Sequence, residues 1–563
     1  MKKNTTLKMN LYIRCASLMK KYLHYFFKEY EISAVVLIIV FGVLLRSKGL
    51  FLLSLYIDDF WRVAAVTSSD IIGALKGLLN PQPPGFLLVT SIIAKIYNTP
   101  FTLKLTSYIP SIAALPFAYL LGKKLFTHRI SALLLLIAIA FNSHFIEHAN
   151  YLKPYSFEVF SHIILLYVYT RRDVLMQPLN IEPYIFTVVL ALFALNIHFV
   201  LPGIFIYDIF LRKKQFPHSS VKPAFIGLLI CLFSAFSHFT FIYSTIDVTK
   251  ASQAWSMDVH NVHTFFRETF TIPGYLKWLT RETLNLFYNS VYIFVRIPQE
   301  AIQNLLLKIW IFFTVSGLVC AIIKRKYFLL SVLSLLWITV LIFNAYKVWP
   351  YGMKRVNLFL MVYIPILPVF FIDVILGIVF RCATRIKDKI AERSALSEKV
   401  FELVITNSTL LRAVVVAACL VTGIIVYPRF ANHFIVQEGG PVIYELTGYV
   451  RQLNQQDTYK SKPYPLFCTA CSYADVDYYI NHYDPWKKKS FKNVFTNTFF
   501  IYTLPQSPTH PEELFRDHDE LLILVTWYLP EVDFIKEFEK SGSLRIITNF
   551  QARRAAAYHV KKL

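Results

Sequence analysis

Two adjacent acids, Asp58 and Asp59, follow a long apolar run in the stretch LYIDDFWR. Neighbouring side chains on a helix point about 100° apart, so one carboxylate can enter a site while the other meets a metal or a cation. Their mutual repulsion raises one pKa, which suits a general base. Cations stand at other apolar edges: Arg46, Arg62, Lys153 in NYLKPYS, and Lys354 with Arg355 in KVWPYGMKR. Several cations on one face suit an anionic ligand such as a lipid phosphate or diphosphate. Taken singly, each also fits a snorkelling anchor at a helix end. His144, Glu147 and His148 lie within one helical turn. That spacing fits a metal site, an interfacial polar cap or the lining of an acceptor site.

The elements that position these residues are membrane helices. Of the 563 residues, 56% are apolar and 17% charged, and mean hydropathy is +0.48. Soluble domains carry about 25% charged residues. Apolar runs repeat at spanning length. The net charge of +23 does not indicate nucleic acid, because Lys and Arg punctuate the apolar runs instead of forming one patch. The basic N-terminal arm and the late first run read as a retained signal-anchor.

Eleven spans are expected, at 32–50, 103–121, 129–146, 154–170, 183–197, 198–212, 222–243, 300–323, 327–346, 356–380 and 411–428. Every second connection is cationic, including GKKLFTHR, LRKK and RCATRIKDK. The positive-inside rule then puts the N-terminus in the cytoplasm and the C-terminus outside. The domains expected are a basic cytoplasmic arm (1–31), a transmembrane domain (32–428) with outer loops 51–102 and 244–299, and an extracytoplasmic α/β domain (429–563). Residues 83–98 are too short to span and read as a partly embedded outer helix. Residues 68–80 and the second outer loop have amphipathic patterns suited to the interface. In the last domain, 521–529 reads as a buried strand, 531–542 as a helix ending at Gly542, and SLRIITNF and AAAYHVKKL as closing strands, with a helix near 474–482.

IDDFW (57–61), NPQPPGFLLV (80–89), HANYLKPYSFEVF (148–160) and PYGMKRVNLFLMVYIP (350–365) occur in an order that resembles the GT-C superfamily of membrane glycosyltransferases. The chain looks most like the bacterial dolichyl-phosphate-mannose protein mannosyltransferase-like family 39 and the aminoarabinose transferases of lipid A. The order covers roughly residues 32–380. The resemblance implies an all-α polytopic membrane fold. It also implies an enzyme, a hexosyl- or pentosyltransferase taking sugar from a polyprenyl-phosphate donor to a lipid, protein or polysaccharide acceptor. It maps the general base onto Asp58, with Asp59 as the second acid of the pair. The donor phosphate falls to Arg62, Lys153, Tyr155, Lys354 and Arg355. Gln82, His144, Glu147, His198 and Tyr351 are further pocket candidates. Lys153 stands where the family has Arg, and Gln82 where it often has His or Lys. Family members differ over a divalent metal ion, and the sequence shows no strong metal cluster. The implied location is a bacterial inner membrane with the active site outside.

Other polar residues have simpler readings. His198 reads as a polar kink between two short spans, or as a ligand contact. His260 and His263 read as surface residues or acceptor-site lining. Asp373, inside a span, reads as one side of a helix–helix hydrogen bond. Cys468 and Cys471 form a Cys-x-x-Cys that reads as a strand–helix turn or a redox pair. The alternative function is a transporter or flippase of a lipid-linked glycan, which places broken helices and polar groups near the midplane. A catalytically dead scaffold is a third reading.

Overall fold

The computed structural model describes residues 31–47, 49–50, 62–63, 66, 82–174, 180–212, 220–245, 272–291, 300–345, 351, 357–391, 466–468, 519–526, 529–552 and 555–563. Asp58, Asp59, Lys354, Arg355, His260, His263 and Cys471 lie outside these residues. So do the basic arm before residue 31, the expected helices at 68–80 and 474–482, and the span at 411–428.

The first part of the chain is helical. In order it forms α1 (31–47), α2 (Pro84–Ile96), α3 (Pro100–Leu125), α4 (Arg129–Ala140), α5 (Ser143–His148), α6 (Tyr155–Val174) and α7 (Glu182–Ala191). A 3-10 turn (Leu195–Val200), α8 (Leu201–Ile206) and a π-helical turn (Tyr207–Arg212) follow. Then come α9 (Lys222–Thr245), α10 (Ile272–Val291), α11 (Glu300–Ile323), α12 (Tyr327–Ala345), α13 (Leu360–Tyr363) and α14 (Ile366–Ala391). Among the described residues five segments are long and apolar enough to cross a membrane: α3, α9, α11, α12 and Leu360–Cys382. Their outward faces carry Phe233, Phe236, Phe312 and Ile323, which water disfavours and lipid accepts. This is a polytopic helical membrane protein.

Three of the expected spans are broken. The window 129–146 divides at Phe141 and Asn142 into α4 and α5. Asn142 accepts at its side chain from the amides of His144 (3.0 Å) and Phe145 (3.2 Å), a local bond that competes with continuing the helix. The windows 183–197 and 198–212 form α7, the 3-10 turn, α8 and the π turn. Ten-residue α7 rises only about 15 Å, half of a hydrocarbon core of about 30 Å. Residues 83–98 do form a short helix, α2. Pro83 and Pro84 have no amide hydrogen, so Gly85 provides the first donor, and it bonds the Leu192 carbonyl at 2.7 Å. The positive end of α2 therefore meets the negative end of α7. A Cβ at Gly85 would lie 2.8 Å from that carbonyl oxygen, so the approach requires glycine.

Contacts sort to two ends of the bundle. At one end Arg172 Nη1 pairs with Asp208 Oδ2 at 2.9 Å and the Tyr184 hydroxyl donates to the same oxygen at 3.1 Å. Arg129 pairs with Glu31 there. Asp373 also lies at this end, and it does bridge helices. Its carboxylate accepts from the backbone amides of Thr127 (3.0 Å) and His128 (2.8 Å), capping α4 where the His128 side chain makes no cap. The other end carries Lys153.

Near the C-terminus lie β1 (Leu466–Cys468), β2 (Glu520–Thr526), α15 (Leu529–Lys540), β3 (Leu544–Ala552) and β4 (Ala555–Lys562). The sheet order is β1-β2-β4-β3, with β1 parallel to β2 and the other pairs antiparallel. Leu521, Ile523, Ile535, Leu544, Tyr558 and Val560 form its core. Gly542 follows α15 at φ +73°, the left-handed turn that ends a helix.

Arg46 is a correction. It does not stand on a ligand face but is 1% exposed and spans three helices. Its Nε donates to Ser111 on α3 (2.9 Å), Nη1 to the carbonyls of Gly42 (2.9 Å) and Ala140 (2.7 Å), and Nη2 to Ile139 (3.2 Å). It closes the last turn of α4, whose carbonyls have no helical partner. Charge-assisted bonds contribute about 1.5–3 kcal/mol each. Arg46→Met is expected to lower stability in detergent by about 3 kcal/mol or more. Arg46→Lys should recover only part of it, because one ammonium cannot reach acceptors on three helices. A thermal melt of the purified variants measures both.

Candidate active site

The Lys153 turn joins α5 to α6. The Lys153 amide donates to the Tyr151 carbonyl at 2.8 Å. Its carbonyl accepts from Ser107 Oγ on α3 at 2.9 Å. The backbone is thus pinned on both sides, and Lys153 itself is only 2% exposed. Its Nζ lies 5.8 Å from the centre of the Tyr151 ring, a cation–π distance. His148 meets Tyr151 and Tyr155 edge-on, with ring centroids 5.2 and 5.1 Å away. Ser156 Oγ holds the His148 carbonyl at 3.1 Å.

The chain that leads toward the two acids is fixed to this turn. Lys104 Nζ donates to the Gly49 carbonyl at 2.9 Å. Gly49 packs so closely on Asn150 that a Cβ there would lie 2.5 Å from the Asn150 Cγ. Downstream of the acids, Arg62 is buried, as is Gln82. Sequence reasoning missed Lys104. Its signal was the one that singled out Lys153, a cation at the same flank of a span.

Glu147 accepts from the Tyr151 hydroxyl at 3.1 Å and stands 3.5 Å from His144 Nδ1. Beyond the helix break, its burial favours the neutral acid. The His144 hydrogen bond, the His148 and His144 imidazoles and the Tyr151 hydroxyl outweigh that and hold its pKa down at about 2. His144 Nε2 meets Asn289 Oδ1 on α10 at 3.2 Å. Tyr351 is fully buried, its hydroxyl 2.8 Å from Thr283 Oγ1 on α10 and its ring against Trp278 and Trp337. The amphipathic helix expected in the second long loop is therefore docked on two of the candidate residues. Among the described residues no group of three His, Cys, Asp or Glu side chains converges on a metal position, and His148 packs edge-on against the two tyrosines.

His198 sits in the 3-10 turn, as the kink reading expects, with Nε2 3.3 Å from His238 Nδ1. It is not part of the Lys153 turn. Closer to that turn is a buried polar chain that sequence reasoning missed. Tyr363 Oη lies 2.7 Å from His162 Nδ1, and His162 Nε2 lies 3.0 Å from Asn196 Oδ1. The Asn196 amide faces the Glu158 carboxyl. Glu158 and His162 are four residues apart on α6, a spacing that shares one helix face. That spacing was the available signal.

No protein-family model matches the chain, and no curated protein matches it. Among solved structures the chain is similar to the ArnT of Cupriavidus metallidurans. In the apo state the TM-score is 0.48 at 13% identity, covering 93% of this chain and 97% of that one. Bound to undecaprenyl phosphate, that protein gives 0.45 at 12% identity with the same coverage. The Archaeoglobus fulgidus oligosaccharyltransferase in its apo form gives 0.43 at 14%, covering 80% of this chain and 64% of that one. No residue role is carried across from them.

The contacts of Glu147 have a pH consequence. Its carboxyl is held below the ordinary value of 4.5, so it stabilises the fold above that pH and the contribution is lost as pH falls toward about 2. Acid unfolding followed by tryptophan fluorescence should show this loss. Glu147→Gln should be less stable at neutral pH and show a flatter profile across the same window.

Proposed function

We propose that the chain is a GT-C-type glycosyltransferase that moves a sugar from a polyprenyl-phosphate donor to an acceptor on the extracytoplasmic face. The observation that carries this reading is the buried Lys153 turn, bound to α3 and packed against Gly49, the residue from which the chain runs on to Asp58 and Asp59. An ammonium carried on a pinned backbone suits a lipid phosphate. The order of motifs along the chain supports the same class.

In the proposed reaction Asp58 takes the proton from the acceptor hydroxyl or amine. The acceptor atom bonds to the anomeric carbon as the bond from that carbon to the phosphate oxygen breaks. The lipid phosphate leaves with the electron pair, and the configuration inverts. Lys153, Lys354 and Arg355 meet its developing charge, with Arg62 and Tyr155 as further contacts. Asp59 orients or screens the base. The active site would face the outside of a bacterial inner membrane, with the domain after residue 428 on the same side.

The transporter reading has one observation in its favour, the broken segment from Leu195 to Arg212, since discontinuous helices mark transporter sites. Transfer assays separate the two. With purified protein, undecaprenyl-phosphate sugars and a panel of acceptors, Asp58→Asn should cut transfer by about 10²-fold or more with the fold retained. Full activity in that variant contradicts the mechanism. Lys153→Met should weaken use of the donor, and Lys153→Arg should keep most of it.

A further inference from the structure

We propose that Ser107, on α3, is a positioning residue that sets the Lys153 ammonium toward the phosphate of the lipid-linked donor; this rests on the glycosyltransferase reading and adds what aims its cation. Ser107 is fully buried. Its hydroxyl donates to the Lys153 carbonyl at 2.9 Å, across 46 residues of sequence. A helical Ser or Thr can instead return its hydroxyl to the carbonyl four residues back. Thr90, Thr187, Thr280 and Thr314 do so in this chain. Ser107 reaches off its own helix and bonds the backbone of the residue that carries the cation.

That bond completes a frame. The Lys153 amide donates to the Tyr151 carbonyl at 2.8 Å, which closes a three-residue turn. Pro154 follows, and a residue before proline is disfavoured in the helical region. With amide and carbonyl both held, the direction of the Lys153 side chain is fixed at its root. Without the Ser107 hydroxyl, the peptide between Lys153 and Pro154 can turn and carry the ammonium with it. A cation that is already in place needs little reorganisation when the phosphate charge arrives. Four residues on, Ser111 presents a second buried hydroxyl from the same face of α3. It accepts from Arg46 Nε at 2.9 Å and so serves the helix clamp, whereas Ser107 serves the turn.

The experiment measures Kd for undecaprenyl phosphate and for undecaprenol, which lacks the phosphate, with the full chain in nanodiscs. Wild-type protein should bind the phosphate lipid more tightly. Ser107→Ala should raise that Kd about 5- to 10-fold and leave the undecaprenol Kd in place. Ser111→Ala should lower the melting temperature and leave both Kd values in place, because Arg46 keeps its carbonyl acceptors. In a Lys153→Met background Ser107→Ala should weaken binding no further, since its effect passes through the ammonium. An unchanged Kd in Ser107→Ala overturns the positioning role, and so does a loss that simply adds to that of Lys153→Met. An equal rise in Ser111→Ala assigns the effect to loosening of α3 and overturns it too. In these three cases the donor reading stands. Equal binding of the two lipids by wild-type protein overturns the donor reading and the positioning role together. If Ser107→Ala does not fold, Ser107→Cys, a weak donor in about the same space, is judged by the same criteria.

Discussion

The Arg46 guanidinium is the constraint on which the Lys153 end of the bundle depends. It gathers one side-chain oxygen from α3 and three carbonyls from α1 and α4. An apolar environment offers a broken helix no water to receive its last carbonyls. A fixed cation there lets α4 stop at Ala140, and α5 and the Lys153 turn can then form beyond it. Arginine suits this position because its planar fork reaches several acceptors at once. Asp373 fixes the entry to the opposite end of α4 by accepting the amides of Thr127 and His128, the two residues before the helix.

The same end holds two more buried cations with different work. Lys104 is bound to the Gly49 carbonyl and fastens the chain just beyond α1 to α3. Lys153 has its backbone pinned while its ammonium lies over an aromatic face. A rigid backbone under a cation preorganises it for an anion, since little reorganisation remains when charge arrives. The proposed donor site assigns the anion to Lys153 and leaves Arg46 and Lys104 to clamp the helices. The docking of α10 through Asn289 and Thr283 adds a wall from the second long loop.

Much of this was legible in the sequence. Long apolar runs gave α3, α9, α11 and α12, and alternation with a terminal glycine gave β2, α15, β3 and β4 near their observed bounds. The helix breaks were less legible. Asn142 breaks its span through hydrogen bonds to the amides of His144 and Phe145, and hydropathy averages such a residue away. Arg46, read as a cation flanking the acids on the outer face, turns inward, because one arginine at a span edge looks alike whether it meets lipid, ligand or backbone. Glu158 and His162 passed unnoticed inside HANYLKPYSFEVFSH, since their meaning depends on Asn196 and Tyr363, which are distant in sequence. Asp58, Asp59, Lys354 and Arg355 rest on the order of motifs.

The central claim is that Asp58 and Lys153 share one site. Thiol cross-linking tests it directly, with Asp58→Cys and Lys153→Cys combined in a chain from which the seven native cysteines have been removed. The account predicts that a short bifunctional thiol reagent joins the two positions within one chain, and that polyprenyl phosphate added beforehand slows the reaction. Two thiols that each label readily with a maleimide yet never cross-link would contradict it.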